Sequence, residues 1–181
     1  DPALGFLLDE IKAREANGYS YDTAQASFEL LARRSLGQMP DFFEVKRYKV
    51  TVERRKNKYD KMISLSEAVV VVKVDGEKKL SVSESMDETG SDRGPVNALS
   101  KALAKDLGQY QEMIGDMRLV DFKVRITQGG TEAVTRVIID SADSKGNRWS
   151  TVGASANIVD ASFEALLDAI QWKLIRDTSG S

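Results

Sequence analysis

Apolar residues along this chain recur first at helical spacing and then, from Phe42 onward, at strand spacing. Leu4, Leu7, Leu8 and Ile11 follow Asp1-Pro2, where aspartate can cap a helix and proline can occupy its first turn. Asn17-Gly18 breaks this pattern. A second helical run after Asp22 places Ala24, Phe28 and Leu31 on one face and ends at Gly37 and Pro40. Residues 1–36 are thus predicted to form an αα-hairpin, with a boundary inside 36–41. This divides the chain into a helical linker subdomain, 1–40, and a second domain, 41–181.

Beyond the boundary, Tyr48, Val50 and Val52 alternate with Lys49, Thr51 and Glu53, as a strand with one wet face requires. A valine-rich strand over 68–74, the turn Asp75-Gly76 and a return strand over 78–85 complete a meander. A glycine-containing polar loop, 87–94, leads to Pro95, placed to start a helix that runs to about Leu107. The same order then repeats. Leu119, Val120, Phe122, Val124 and Ile126 mark a strand, Gly129-Gly130 a turn, 133–140 a second strand, 143–147 a turn and 149–156 a third strand. Asn157 or Asp160 can cap a terminal helix carrying Phe163, Leu166, Leu167, Ile170 and Leu174.

The two halves also share wording. Glu67-Ala68-Val69 matches Glu132-Ala133-Val134, and Pro95-Val96-Asn97-Ala98-Leu99 matches Ile158-Val159-Asp160-Ala161-Ser162. The fold class predicted is α+β: an N-terminal αα-hairpin followed by two pseudo-symmetric βββα units, about 45–110 and 117–176. Helices on one side of each sheet leave an apolar face for a partner subunit, so a homodimer is predicted. Pseudo-symmetry of this kind suits ligand sensing, because equivalent helix starts can face one another across a cleft. A catalytic site needs an asymmetric set of acids and bases.

Composition narrows the chemistry. The chain has 181 residues, 41% of them hydrophobic, a formal charge of −2 and a pI near 5.4, so no bulk field draws it to nucleic acid or an anionic membrane. No segment approaches the roughly 18 apolar residues of a membrane span, and no signal peptide opens the chain. Cysteine is absent, which fits a reducing, cytoplasmic setting. Histidine is absent too, and with it the usual hydrolase triads and zinc sites. No catalytic residue and no metal ligand is predicted. A start at Asp1-Pro2, without methionine and directly in a helical pattern, is expected of a piece of a longer protein.

Several local features have bland explanations that outweigh the functional ones. The basic residues between Lys46 and Lys61 alternate along a strand, and 55–58 read as a solvated hairpin tip rather than a nucleic-acid patch. Gly90-Ser91-Asp92-Arg93-Gly94 precedes a helix and could receive an anion such as an amino-acid carboxylate, but lacks the Gly-Lys-Ser/Thr ending of a P-loop. Trp149 and Trp172 sit on apolar faces and read as core. Asp140 with Asp143, and Asp87 with Glu88, neighbour turn signals and read as turn residues.

Three motifs carry a family resemblance: Gly94-Pro95-Val96-Asn97-Ala98-Leu99, Gly130-Thr131-Glu132-Ala133-Val134, and Trp149-Ser150-Thr151-Val152-Gly153 running into Asn157-Ile158-Val159-Asp160-Ala161-Ser162. Together they span most of 45–175. The chain resembles the carboxyl-terminal allosteric domain of the isopropylmalate synthase and citramalate synthase group. Gly18-Tyr19-Ser20-Tyr21 followed by Ala26-Ser27-Phe28-Glu29-Leu30-Leu31 looks most like the citramalate synthase branch.

The resemblance implies a parent acyltransferase that condenses acetyl-CoA with a 2-oxo acid, pyruvate in the citramalate branch, in a TIM barrel holding a divalent metal. The barrel's histidine ligands cannot lie in this chain, which is then a regulatory fragment without a cofactor of its own. The partners implied are the parent's catalytic barrel, a second copy of the chain and a branched-chain amino acid, isoleucine or alternatively leucine, bound at the dimer interface. Carried over position by position, the implied isoleucine site uses Pro95, Val96 and Asn97 at a helix start, Leu119, Phe122 and Ile126 as walls, and Asp121 as partner of the ammonium group. Ala133, Thr135, Ala154 and Ala156 are the small positions that leave it room. The loop 90–95 is longer and more polar than the family's short Gly-Asn-Gly-Pro turn. A dimerisation module that binds no ligand is the remaining alternative.

Overall fold

A computed structural model describes residues 1–88, 93–129 and 132–179, with the backbone alone at 128 and 129. The loop that could hold an anion, 90–92, and the Gly130-Thr131 motif lie outside the described residues. The elements are α1 (Pro2–Ala16), α2 (Gln25–Ser35), β1 (Glu44–Lys56), β2 (Met62–Val74), β3 (Glu77–Asp87), α3 (Arg93–Leu103), α4 (Gln111–Ile114), β4 (Arg118–Gly129), β5 (Glu132–Ala142), β6 (Arg148–Ser155) and α5 (Ile158–Ser179). A single 3-10 turn, Gly108–Tyr110, precedes α4. Two antiparallel three-stranded sheets, β1-β2-β3 and β4-β5-β6, are each followed by a helix, so the α+β fold and the two βββα units are as predicted.

The duplication extends to a detail. The first strand of each sheet carries a bulge near its start, between Val45 and Arg47 in β1 and between Leu119 and Asp121 in β4. An extra residue there bends the strand and resets which side chains share a face.

Residues Asp41–Gly115 form one compact unit. Gly94 of α3 lies so close to Ser66 that a Cβ would stand 3.0 Å from its hydroxyl, which puts the row Ser66, Ala68, Val70, Val72 and Val74 under α3. All five are buried. Asp75 sits in the tight β2–β3 turn at φ 54°, ahead of Gly76 at φ 77°, the backbone that an Asp-Gly hairpin turn supplies. The basic hairpin tip is exposed, as predicted, and its turn is held by the Asn57 side chain, which accepts from the backbone N–H of Tyr59 and of Lys61.

One expectation fails here. The helix from Pro95 ends at Leu103, not near Leu107. Leu99, Leu103 and Leu107 keep helical spacing and all are buried, but side chains from elsewhere capture the backbone beyond the helix. The Asp75 carboxylate accepts from the N–H and side chain of Gln109, while Gln111 accepts from Leu107 N–H and donates to Ala104 O.

The second unit joins Asp1–Pro40 to Asp116–Ser181. The helical hairpin therefore completes the second sheet. One face of β4-β5-β6 is covered by α5: Gly153 would drive a Cβ to 1.9 Å from Ala161 O, Thr151 Oγ1 donates to Ala165 O and Trp149 Nε1 to Ala169 O. The other face meets the hairpin, where Leu7, Tyr21, Ala24 and Leu31 form a core with Val152, flanked by Ile11, Tyr19, Ala32 and Ile138. Asp1 caps α1 as predicted, accepting from Ala3 N–H.

The hairpin's apolar stripes differ from expectation. In α1, Leu7 is buried but Leu4 and Leu8 are 57% and 54% exposed. In α2, Phe28 turns outward and Ser27 takes the buried position with Ala26, Leu30 and Leu31. Ser27 is inside because its hydroxyl joins two partners, accepting from Val152 N–H and donating to Asp168 of α5.

Candidate functional site

Register settles which candidate residues share a surface. Of the eleven, Pro95, Val96 and Asn97 belong to the first unit, in the opening turns of α3; Val96 is buried against the sheet, while Pro95 and Asn97 are half-buried. The other eight belong to the second unit.

There, Thr135 pairs with Ile126 on one side and Ser155 on the other, and Phe122 pairs with Ile139. Because side chains alternate, Phe122, Ile126, Ala133 and Thr135 lie on the α5 face. The bulge after Leu119 pairs it with Ser141 and brings it to that face too. Asp121 pairs with Asp140, and Ala154 with Arg136, on the hairpin face. Ala156 follows β6 and is exposed. The structure gathers five of the eight on one sheet surface and turns two to the other.

That surface is open at one end. Ile126 is 78% exposed, Ala133 is exposed and Thr135 half-buried, because α5 begins only at Ile158. Asn157 caps it, accepting from Val159 N–H at 2.8 Å. An apolar row thus ends on the sheet that α5 covers, and the dipole at that helix start favours a carboxylate. Asp121 accepts from Phe122 N–H and stands 3.8 Å from the Lys123 ammonium.

The same unit contains polar features that the sequence reading missed. Lys173, with a side chain 3% exposed, is held by Asp177 at 2.8 Å, Asp116 at 3.2 Å and Asp143 at 3.5 Å. Burial pushes the Asp143 carboxyl up, but hydrogen bonds from Asn147 and Arg176 outweigh this and hold it below the usual aspartate range. Hydrogen bonds from Ser144 bring Asp116 down to about 2. Asp143 does act at the β5–β6 turn, accepting from Lys145 and Asn147 N–H, as a turn residue should. Its partnership with a cation of α5, 30 residues on, leaves no local trace.

Trp149 is buried as expected and stacks on the half-buried Trp172 at 5.1 Å between centroids, with the Arg176 guanidinium 5.1–5.2 Å from both rings. A cleft of ≈ 440 Å³ opens beside them, lined by Asp22, Thr23, Gln25, Ala26, Glu29, Asp140, Arg148, Trp149, Ser150 and Trp172. None of the eleven candidate residues lines it. Among the described residues no group of carboxylates gathers to hold a metal, and no helix is long and apolar enough to cross a membrane.

Two bulged meanders, each closed by a helix, define a duplicated α+β domain. The chain belongs to the LeuA allosteric (dimerisation) domain family, whose model matches residues 22–174. It is 42% identical over 176 residues, 96% of its length, to an (R)-citramalate synthase of Geobacter sulfurreducens, and 39% identical over 178 residues, 97% of its length, to one of Aquifex aeolicus. A 2-isopropylmalate synthase of Pseudoalteromonas atlantica is 30% identical over 164 residues, 86% of the chain. The chain spans 31%, 32% and 29% of these relatives, less than a third of their length.

Proposed function

We propose that this chain is the feedback-regulatory region of a citramalate synthase, binding isoleucine within a homodimer. Similarity over 96% of its length to an (R)-citramalate synthase, within a family of allosteric dimerisation domains, carries the reading. The parent would join acetyl-CoA to pyruvate on a metal-bearing barrel beyond these residues, and isoleucine is the distal product of that route. The surface of Leu119, Phe122, Ile126, Ala133 and Thr135 supplies apolar walls, and the capped start of α5 supplies a place for the carboxylate. Asp121, the ammonium partner that the family resemblance implies, and Ala154 lie on the other face of this sheet and are not part of that surface, while Pro95, Val96, Asn97 and Ala156 stand as further residues that the resemblance implies. Feedback requires only that isoleucine favour a less active arrangement, by about 1–3 kcal/mol in typical couplings.

Titration calorimetry on the 181-residue chain tests this. Isoleucine is expected to bind more tightly than leucine and to raise the melting temperature with concentration. A leucine preference would move the assignment to 2-isopropylmalate synthase; indifference to both would leave a dimerisation module alone.

A further inference from the structure

The proposed effector surface has a listener on its opposite side. The tip of the helical hairpin, Gly18, is buried against β4 and β5. A Cβ there would stand 2.9 Å from Val134 Cγ1 and 3.2 Å from Thr127 Oγ1, and its φ of +102° is one that only glycine adopts readily. Arg136, two residues further along β5, donates from Nε to Gly18 O at 2.6 Å. Thr127 and Val134 are themselves a cross-strand pair. Each residue touching the tip is therefore a chain neighbour of a proposed effector residue: Thr127 of Ile126, Val134 of Ala133 and Thr135, Arg136 of Thr135. Adjacent strand residues point to opposite faces, so a displacement on one face is delivered to the other through one backbone.

We propose that Arg136 and the Gly18 turn form the coupling joint through which effector occupancy is passed to the α1–α2 hairpin, an inference that rests on the function proposed above. The joint has the parts such a device needs. Its hydrogen bond to the sheet is accepted by backbone, at Gly18 O, and the space at Gly18 admits no side chain, so a small strand shift moves the whole turn. The next residue, Tyr19, bonds through its hydroxyl to Glu164 of α5, and burial combined with that hydrogen bond pushes the phenol up. The hairpin tip is thereby tied both to the strands and to the helix whose start borders the proposed site. Arg136 is a positioning residue: its side chain lies with Ala154 on the hairpin face and does not share the face of Ile126 and Thr135.

Hydrogen exchange on the full 181-residue chain, with and without saturating isoleucine, tests the joint. In the wild-type chain isoleucine is expected to change exchange of the amides over 13–24 by about tenfold, within the usual range of an allosteric coupling. Arg136→Gln is expected to keep isoleucine affinity within about threefold, because the coupling is reciprocal but an open hairpin is a minor state whose shift feeds back little on the overall affinity, while the hairpin response disappears. Arg136→Lys, which keeps the charge without Nε, is expected to lose the response in the same way and serves if the glutamine variant does not fold. Binding with an unchanged hairpin response in either folded variant, or binding by the wild type without any hairpin response, overturns the joint alone. Absence of binding by the wild type overturns the function and the joint together.

Discussion

The two sheets share strand order, bulge position and a following helix, yet they are finished differently. In the first unit, α3 has 11 residues and covers one face. On the opposite face Leu80, Val82 and Met86, which pair with Val71, Val69 and Leu65, remain 59%, 38% and 61% exposed. In the second unit, α5 has 22 residues, and the hairpin adds a further layer. Strand β6 would otherwise show a bare edge. Ser27 accepts from its Val152 N–H, and Glu164 accepts from the Ala154 backbone, which removes the edge as a template for foreign strands. Duplication set the frame, and unequal covering made one copy the anchored half.

The largest test of that contrast compares two glycines. Gly153→Ala forces a Cβ into the backbone of α5 and is expected to destabilise by about 4 kcal/mol or more, the range of severe core strain. Gly94→Ala meets the Ser66 hydroxyl at 3.0 Å and otherwise ordinary contacts with Ser66 Cβ and Asp87 Cβ, and is expected to cost about 1 kcal/mol or less. Urea unfolding followed separately in the two units would measure both, and equal losses would erase the contrast.

Next in size is the buried cation. Lys173→Met leaves Asp143 buried with one fewer cation beside it, and breaking such a pair costs about 3–5 kcal/mol. The same cluster sets a pH dependence confined to the second unit. Asp116, at about 2, and Asp143, also depressed, contribute stability that is present above the unfolded aspartate value of about 3.9 and lost as pH falls through their folded values. Asp168 is raised by burial and works in the opposite sense, favouring the fold on protonation. Acid unfolding of the second unit between about pH 4 and 2 should therefore flatten in Asp143→Asn. An unchanged slope in that variant would place the acid sensitivity elsewhere.

A smaller effect is expected from Ser27→Ala, about 1–3 kcal/mol, because Val152 N–H loses its acceptor in a buried setting. Smaller still, within about 0.5 kcal/mol, is Leu80→Thr on the exposed face of the first sheet.

Most of the frame was legible because alternation and turn residues are local signals. Asp75-Gly76 and Asn157 act where their chemistry placed them. What was illegible came from partners distant in sequence. The helix from Pro95 kept apolar spacing to Leu107, and only Asp75 and the Gln111 side chain explain its stop at Leu103. Phe28 had the better apolar credentials than Ser27, but only a serine could bridge Val152 and Asp168. At the candidate site, residue types came from family motifs, whereas the division between Phe122, Ile126 and Thr135 on one face and Asp121 and Ala154 on the other came from register and the β4 bulge. A one-residue bulge is invisible in a pattern read by spacing.

An amide NMR titration of the chain with isoleucine tests the central claim most directly. Saturable shifts at Ile126, Thr135 and Val159 are expected, because these residues border the open end of the second sheet and the start of α5. Saturable shifts confined to β1–β3, or none at all, would contradict an effector site on the second sheet.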